Sequence, residues 1–118
     1  MTIDRNQGIE PDIAFLIALE DIIRARFTDP SPDSYVATLV AGGDRRMAQK
    51  LGEEAVELAL AAAAGDRREQ LDEAADLLFH LLVLLHAKGL CLADVAKILE
   101  QRHAEASRAG GPASSRER

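Results

Sequence analysis

Four acidic residues lie at helical spacing in two segments of the chain. Glu54 and Glu57 are three positions apart, and Glu73 and Asp76 repeat that spacing. Residues three apart project from one face of an α-helix, so each segment presents a pair of carboxylates. Carboxylate oxygens are the ligands that Mg²⁺ prefers, and four of them would leave coordination positions for water and substrate phosphates. The two pairs could therefore share a cation if their helices face each other.

An ordinary solvated helix surface is the alternative interpretation of the first pair. Lys50 and Glu54 are spaced for an i,i+4 surface ion pair, and acidic clusters are common on helix surfaces. The second pair favours a functional site. Glu73 and Asp76 border the apolar run at residues 77–85, and the two alanines between them permit close helix approach. Acidic groups that are buried there without a cation would destabilise the fold.

The connection between the two segments determines whether the carboxylate pairs can meet. Residues 64–66 form a short Ala-Gly-Asp connection, which predicts an antiparallel hairpin of two helices. At about 1.5 Å rise per residue, Glu57 lies roughly 12 Å before the turn and Glu73 roughly 10 Å after it. The two pairs are thus expected at similar heights on facing helices.

Apolar residues recur at helical spacing over most of the chain, and Ala and Leu dominate its composition. We therefore predict an all-α fold, an antiparallel bundle of four to five helices. Residues 1–10 lack a pattern and are predicted to form an arm, residues 11–103 the helical domain, and residues 104–118 a flexible tail. The expected helices cover about residues 12–27, 32–41, 44–64, 67–87 and 92–103.

Capping residues mark several of the predicted helix ends. Gly65 closes the third helix, and Asp66 and Glu69 have the spacing of a capping box for the fourth. Ser31 before Pro32 predicts the N-cap and first position of the second helix.

The apolar run at residues 77–85 would leave the fourth helix apolar on nearly every side. Such a helix is expected at the centre of a bundle or in a dimer interface. Because three or four short neighbours cannot cover it fully, we predict that a homodimer completes the bundle. His80, within the run, is predicted to be a hydrogen-bonded core histidine rather than a metal ligand.

Charge and cysteine content exclude several classes of protein. The formal net charge is −6 at pH 7, which disfavours a protein that coats nucleic acid phosphates, so a cation should mediate any phosphate binding. The single cysteine, Cys91, cannot form an intramolecular disulfide, and the N-terminus lacks the apolar core of a signal peptide. No apolar stretch approaches the roughly 20 residues of a membrane-spanning helix. These features predict a cytoplasmic protein with no nucleic acid or membrane partner.

Three segments of the sequence resemble the MazG-like all-α nucleotide pyrophosphohydrolases. They are Ser34-Tyr35, the acidic segment at residues 50–57 (KLGEEAVE) and residues 73–85 (EAADLLFHLLVLL). Within that group the segments are similar to the phosphoribosyl-ATP pyrophosphatases of histidine biosynthesis, over about residues 13–103. The resemblance implies hydrolysis of the α–β phosphoanhydride of a nucleotide substrate, 1-(5-phosphoribosyl)-ATP, to 1-(5-phosphoribosyl)-AMP and pyrophosphate.

The resemblance also implies roles for individual residues. The implied ligands of a Mg²⁺ cofactor are Glu54, Glu57, Glu73 and Asp76. Glu54 and Glu53 would be catalytic, with Glu53 as a further ligand or a base. Lys50 and Arg46 would contact substrate phosphates, although charge balancing of the nearby glutamates explains each of them equally well. Gly42-Gly43 departs from the family, in which a basic residue is expected in that turn.

The sequence leaves alternatives open for both the substrate and the function. Discrimination of phosphoribosyl-ATP from ordinary nucleotides requires groups that reach the added ribose phosphate, and the basic candidates are Arg45, Lys97 and Arg102. A housecleaning pyrophosphohydrolase of (d)NTPs is the first alternative function. A non-enzymatic helical interaction module is the second, and it would explain the apolar run but not the facing acids. Glu100 and His103 have the E-x-x-H spacing of di-iron bundles, but that architecture needs two such motifs.

Overall fold

The structure is a computed structural model that describes residues 12–29 and 34–109. These residues form five helices and no strand, which confirms the all-α fold. The helices are α1 (Phe15–Thr28), α2 (Tyr35–Ala41), α3 (Gly43–Ala64), α4 (Arg67–Ala87) and α5 (Leu92–Ala109). The predicted arm at residues 1–10 and the last nine residues of the predicted tail, 110–118, lie outside the described residues.

Three helix ends differ from the sequence-based expectation, and the first is the start of α1, which lies at Phe15 rather than at about residue 12. The N-cap of α2 is Ser34, whose Oγ accepts a hydrogen bond from the Ala37 amide at 3.2 Å, whereas Ser31 and Pro32 lie outside the described residues. At the other end of the chain, α5 continues to Ala109 rather than ending at about residue 103. Residues 104–109 lack apolar periodicity, but their Ala, Glu and Arg residues have high intrinsic helix propensity.

One hydrophobic core joins α1, α2, α3 and α4. Its buried members are Ile23, Val36, Leu39, Met47, Leu82 and Val83. The apolar run of α4 is central to this core, as predicted, because Leu82 and Val83 are buried in it. The other leucines of the run are only partly buried, so one face of α4 is incompletely covered by the described residues.

The α3–α4 hairpin has the most extensive helix packing in the described structure. The predicted capping box is present: Asp66 Oδ1 accepts from the Glu69 amide and Glu69 Oε1 accepts from the Asp66 amide, both at 2.8 Å. Gln70 donates from Nε2 to the carbonyl oxygens of Ala61 and Gly65, at 3.3 Å each. These bonds fix the connection and therefore the register of α3 against α4.

α5 diverges from the other helices. Its axis makes a bend of 102° with that of α4, and none of its residues is buried. Its start is anchored to α1 by a 2.7 Å hydrogen bond from the Leu92 amide to Glu20 Oε2. No single described helix has the length and apolarity to cross a membrane, and α4 with α5 meets those criteria only as a bent pair.

Candidate metal centre and active site

Three of the predicted acidic residues converge between α3 and α4. Glu54 and Glu57 of α3 and Glu73 of α4 each offer a carboxylate oxygen, and the three oxygens lie within 4.8 Å of one another. We call these residues the acid cluster. Their convergence follows from the fixed register of the hairpin and from the i,i+3 spacing on α3, which places both glutamates on the side that faces α4.

Two oxygens of the acid cluster are buried without compensation from the described part of the protein. Glu54 is only 6% exposed, and its Oε1 and the Oε1 of Glu73 have no hydrogen-bond partner among the described residues. Buried polar atoms are nearly always paired, and a buried carboxylate oxygen without a partner carries a large desolvation penalty. A cation bonded to both oxygens would remove that penalty. The donor set, all carboxylate oxygen, suits Mg²⁺.

The burial and close approach of these carboxylates also change the pKa of Glu73. Burial raises the pKa of the Glu73 carboxyl above its ordinary range, and the proximity of Glu57, Asp76 and Glu54 raises it further. A cation at this site would offset both effects, since it stabilises the ionised carboxylates.

The Lys50 side chain contributes a positive charge next to the acid cluster. Its Nζ lies 3.3 Å from Glu54 Oε2 and 3.4 Å from Glu53 Oε1, and its side chain is 21% exposed. The hydrogen bond to Glu54 is the main cause that raises the pKa of Lys50, against an opposing effect of burial. The Lys50–Glu54 pair expected of a plain surface helix therefore exists, but its glutamate is buried.

Two predicted members of the site lie outside the acid cluster. Asp76 is exposed and is not part of the converging group, although its charge acts on Glu73. Glu53 has a side chain 46% exposed and accepts a hydrogen bond from Gln49 Nε2 at 3.0 Å. Neither residue's predicted role as ligand or base is tested by this arrangement.

The predicted phosphate-binding residues form a stripe on α3. Arg46, Lys50 and Glu54 are successive i,i+4 neighbours, so the stripe leads from the start of α3 to the acid cluster. Glycine at position 42 permits α3 to begin here, because the Cβ of any other residue would lie 2.6 Å from the Arg46 Cβ, which is too close. Gly42 is the C-cap of α2 and Gly43 follows with a φ of +79°, so the Gly-Gly pair is a helix junction.

The predicted specificity residues are dispersed. Arg45 is exposed in the first turns of α3, and Lys97 and Arg102 are exposed on α5, outside the helix pair that carries the acid cluster. Among the described residues no hydrogen bond or ion pair joins these three side chains, and their role stays a prediction. Glu100 and His103 are likewise exposed on α5, and within the described residues neither belongs to a cluster able to hold a metal.

His80 is a hydrogen-bonded core histidine, as predicted. It is 6% exposed, its Nδ1 lies 2.7 Å from the Asp76 carbonyl oxygen, and its Nε2 lies 2.7 Å from the Tyr35 hydroxyl. Sequence reasoning assigned no role to Tyr35. The indication available was that a histidine inside an apolar run requires a polar partner, and Tyr35 is the single tyrosine of the chain.

The sequence matches one protein family over most of its length. The family model described as phosphoribosyl-ATP pyrophosphohydrolase matches residues 16–103. The phosphoribosyl-ATP pyrophosphatase of Pyrobaculum calidifontis is 55% identical over 84 residues, which cover 71% of this chain and 89% of that protein. The corresponding protein of Pyrobaculum arsenaticum is 52% identical over the same shares of both chains.

Longer proteins also match. The histidine biosynthesis bifunctional protein HisIE of Photobacterium profundum is 47% identical over 94 residues, or 80% of this chain. The match covers 45% of that protein, so this chain spans less than half the length of such bifunctional relatives.

Proposed function

This chain belongs to the phosphoribosyl-ATP pyrophosphohydrolase family, and on that premise we propose that it hydrolyses 1-(5-phosphoribosyl)-ATP to 1-(5-phosphoribosyl)-AMP and pyrophosphate, a step of histidine biosynthesis. The observation that carries the proposal is the acid cluster, in which two buried carboxylate oxygens lack a partner among residues 12–29 and 34–109. Such a cluster suits a reaction on a phosphoanhydride, whose substrate arrives as a polyanion and needs a cation between it and the acids.

Mg²⁺ is the cation proposed for this site. Glu54, Glu57 and Glu73 would hold it, and Asp76, whose charge acts on Glu73, would contribute as a further ligand or through a water. Once bound, Mg²⁺ supplies Lewis-acid stabilisation of the charge that develops on the leaving pyrophosphate. The Oε1 atoms of Glu54 and Glu73 support this assignment, since no hydrogen bond from the described part of the chain satisfies them.

Basic residues of α3 complete the proposed phosphate site. Lys50 is held by Glu54 and has a third donor that can reach a substrate phosphate, and Arg46 lies one turn earlier on the same stripe. A lysine that remains protonated beside the acids also limits repulsion between the cluster and an incoming triphosphate. Glu53, which is exposed beside Lys50, is proposed to be the general base that activates water.

The proposed substrate is tested by comparing nucleotides directly. We expect kcat/KM for phosphoribosyl-ATP to exceed that for ATP, dUTP and dCTP by at least about 100-fold, because the second phosphate offers an anchor that ordinary nucleotides lack. Pyrophosphate release is measured for all four with Mg²⁺ and again with a chelator. Equal or faster turnover of dUTP or dCTP would assign the chain to housecleaning of nucleotides instead. Release that is insensitive to the chelator would remove the metal from the proposal.

A homodimer is proposed as the working state. Large apolar side chains are exposed on α5, where Ile98 is 47% and Leu99 58% exposed, and on the α3–α4 hairpin, where Val56 and Leu60 are exposed one turn apart. Solvent contact at so many large apolar residues is unfavourable for a chain of this size. A second copy would cover one of these surfaces and the uncovered face of α4.

A further inference from the structure

A cavity of about 380 Å³ lies between α1, the start of α2 and α4, and we call it the aromatic cavity. Small-molecule sites have volumes of this order, and their walls combine apolar and aromatic side chains with a few polar groups. The aromatic cavity has that composition, because aliphatic side chains and two aromatic rings line it together with a guanidinium group. The lining includes Ile22, Ile23, Arg26, Tyr35, Val36 and Phe79. Such walls suit a flat, largely apolar ligand.

The aromatic wall of this cavity is held in place by hydrogen bonds. The Tyr35 ring stacks on that of Phe79, with centroids 6.2 Å apart and an angle of 28° between the planes. The Tyr35 hydroxyl lies 2.7 Å from Nε2 of the buried His80, whose Nδ1 lies 2.7 Å from the Asp76 carbonyl oxygen. Tyr35 is nevertheless 47% exposed. An accessible ring that is already fixed loses little conformational entropy when a ligand stacks on it.

The aromatic cavity lies within reach of the acid cluster. Phe79 follows Asp76 at i+3, so the two side chains project from one face of α4. The rise along the helix axis from Glu73 to Phe79 is about 9 Å. This distance is comparable to that which a ribose places between the α-phosphate and the base of a nucleotide. A nucleotide whose phosphates lie at the acid cluster can therefore place its base in the aromatic cavity.

A second cavity, of about 360 Å³, flanks the acid cluster on the side of the α3–α4 turn. Besides Glu57 and Glu73 of the cluster, Glu69 and aliphatic residues near the turn line it. Among the described residues, no aromatic ring and no basic side chain contributes to this lining. These acidic walls would repel a nucleotide, and a base would find no ring on which to stack. The aromatic cavity is therefore the better site for a base.

We propose that the aromatic cavity binds the purine base of the substrate, stacked on the Tyr35 ring, while the acid cluster and its cation bind the phosphates. Turnover through this site rests on the proposed function, whereas binding of the base is measurable without hydrolysis. A ribose phosphate bound through Arg26 is the rival occupant of the cavity, and it requires no contact with an aromatic ring.

The fluorescence of Tyr35 reports directly on the occupant. Tyr35 is the single tyrosine of a chain without tryptophan, so the intrinsic fluorescence of the wild-type protein comes from this ring. Mg²⁺ with α,β-methylene-ATP, which resists hydrolysis at the α–β bond, should quench this emission after correction for absorption by the nucleotide. Methylenebisphosphonate with Mg²⁺, which offers the phosphate groups but no base, should not quench it, and neither should ribose 5-phosphate. Equal quenching by either of these ligands, or none by saturating nucleotide, would overturn the proposal.

Two substitutions of Tyr35 separate the ring from its hydroxyl. Tyr35→Leu removes the stacking surface and should raise the dissociation constant of α,β-methylene-ATP with Mg²⁺ by about 5- to 100-fold, the usual size of one base–aromatic stack. Tyr35→Phe keeps the ring and should raise this constant by less than about threefold. Calorimetry measures both, and the affinity for methylenebisphosphonate with Mg²⁺ should change in neither variant. Equal effects of the two substitutions, or an equal loss of bisphosphonate affinity, would show that Tyr35 supports the fold or the metal site and not the base.

A matched pair of substitutions on α1 tests the cavity without changing Tyr35. Ile22 lines the aromatic cavity and is 44% exposed, whereas Ile17 is 63% exposed on the same helix and does not line it. Ile22→Trp fills the cavity and should raise the dissociation constant of the nucleotide by at least about tenfold, and Ile17→Trp should leave it unchanged. Wild-type affinity in Ile22→Trp would overturn the base site. If the wild-type protein bound the nucleotide with these base-dependent effects but did not hydrolyse phosphoribosyl-ATP, the proposed function alone would fail. Hydrolysis without these effects would remove only the base site.

Discussion

Glu54 on α3 and Glu73 on α4 bring carboxylate oxygens within 4.8 Å of each other, and each residue has a buried Oε1 with no hydrogen-bond partner in the described structure. Two like charges at this distance repel when both are ionised, and burial strengthens the repulsion. In the absence of a cation, the arrangement therefore works against the folded state. A divalent cation bound between the two carboxylates would remove this repulsion.

The first prediction compares carboxylates at increasing distance from the cluster. Glu73→Gln should lower kcat/KM by more than about 100-fold, since it replaces a proposed direct ligand, and Asp76→Asn should lower it by about 10- to 100-fold if Asp76 acts through a water or another ligand. Both variants should keep the helical circular-dichroism signal. Steady-state kinetics with a Mg²⁺ titration measures the two effects. A loss for Asp76→Asn as large as that for Glu73→Gln would make Asp76 a full ligand.

Asp72→Asn is the matched control for this series. Asp72 lies on α4 one turn before Asp76 and pairs on the surface with Arg68, 3.2 Å away. The substitution makes the same chemical change on the same helix, outside the acid cluster. Its kcat/KM should stay within about twofold of the wild-type value, because exposed ion pairs contribute little.

The second prediction concerns pH. Burial and the neighbouring carboxylates raise the pKa of Glu73 in the folded protein, so without metal the folded state holds this proton more tightly than the unfolded chain. Stability is then lost as pH rises from the unfolded-state pKa through the raised folded-state pKa, and the full loss persists above it. At the proposed site Mg²⁺ would take the place of the proton, so the increase in Tm on adding Mg²⁺ should grow over the same pH interval.

Thermal unfolding with a chelator and with saturating Mg²⁺, from about pH 4 to pH 8, measures this dependence. Glu73→Gln should flatten the pH profile of the chelated protein and should raise its Tm at the upper end of the range. If the increase in Tm with Mg²⁺ were constant across pH, the raised pKa of Glu73 would not be the cause of the pH dependence.

The sequence was sufficient for the hairpin because its determinants are local. The capping box of Asp66 and Glu69 and the i,i+3 spacing of Glu54 and Glu57 depend on residues within one turn of one another. Local spacing also fixes which face of each helix is acidic, so three of the four proposed ligands meet as expected. Asp76 is different. Its i,i+3 spacing from Glu73 predicts the face of α4 on which it lies, but not the distance between its carboxylate and α3.

The partner of Tyr35 could not be obtained in this way. Its partner His80 is 45 positions away in the chain, and their contact depends on how α2 docks on α4. The sequence shows only that His80 needs a polar partner. The end of α5 illustrates the reverse case: apolar periodicity stops near residue 103, but helix propensity alone carries the helix to Ala109.

The third prediction concerns assembly. Leu99 is 58% exposed on α5 and Leu60 is 64% exposed on α3, and each represents one of the two apolar surfaces. Leu99→Asp or Leu60→Asp should convert the proposed dimer to monomer, and the substitution that does so identifies the interface. Leu82, which is 2% exposed, is unsuitable for this purpose because a charge there would unfold the core. Multi-angle light scattering at micromolar concentration decides the matter, and a monomeric wild-type protein would contradict the proposal.

The fourth prediction uses two glycines whose surroundings differ. A Cβ at Gly65 would lie 2.8 Å from Glu69 Oε1 and 3.0 Å from the Ala61 carbonyl oxygen, so Gly65→Ala must displace the capping-box carboxylate or the end of α3. We expect a loss of about 1 kcal/mol in the free energy of unfolding, the usual size for damage to a helix cap. A Cβ at Gly52, in the middle of α3, would meet nothing within 4 Å, so Gly52→Ala should stabilise the helix by about 0.5–1 kcal/mol. Chemical denaturation measures both.

Because Gly65 also sets the register that brings Glu57 to Glu73, Gly65→Ala should weaken Mg²⁺ binding as well. Unchanged stability and Mg²⁺ affinity in Gly65→Ala would show that the close approach at this turn does not govern the geometry of the acid cluster.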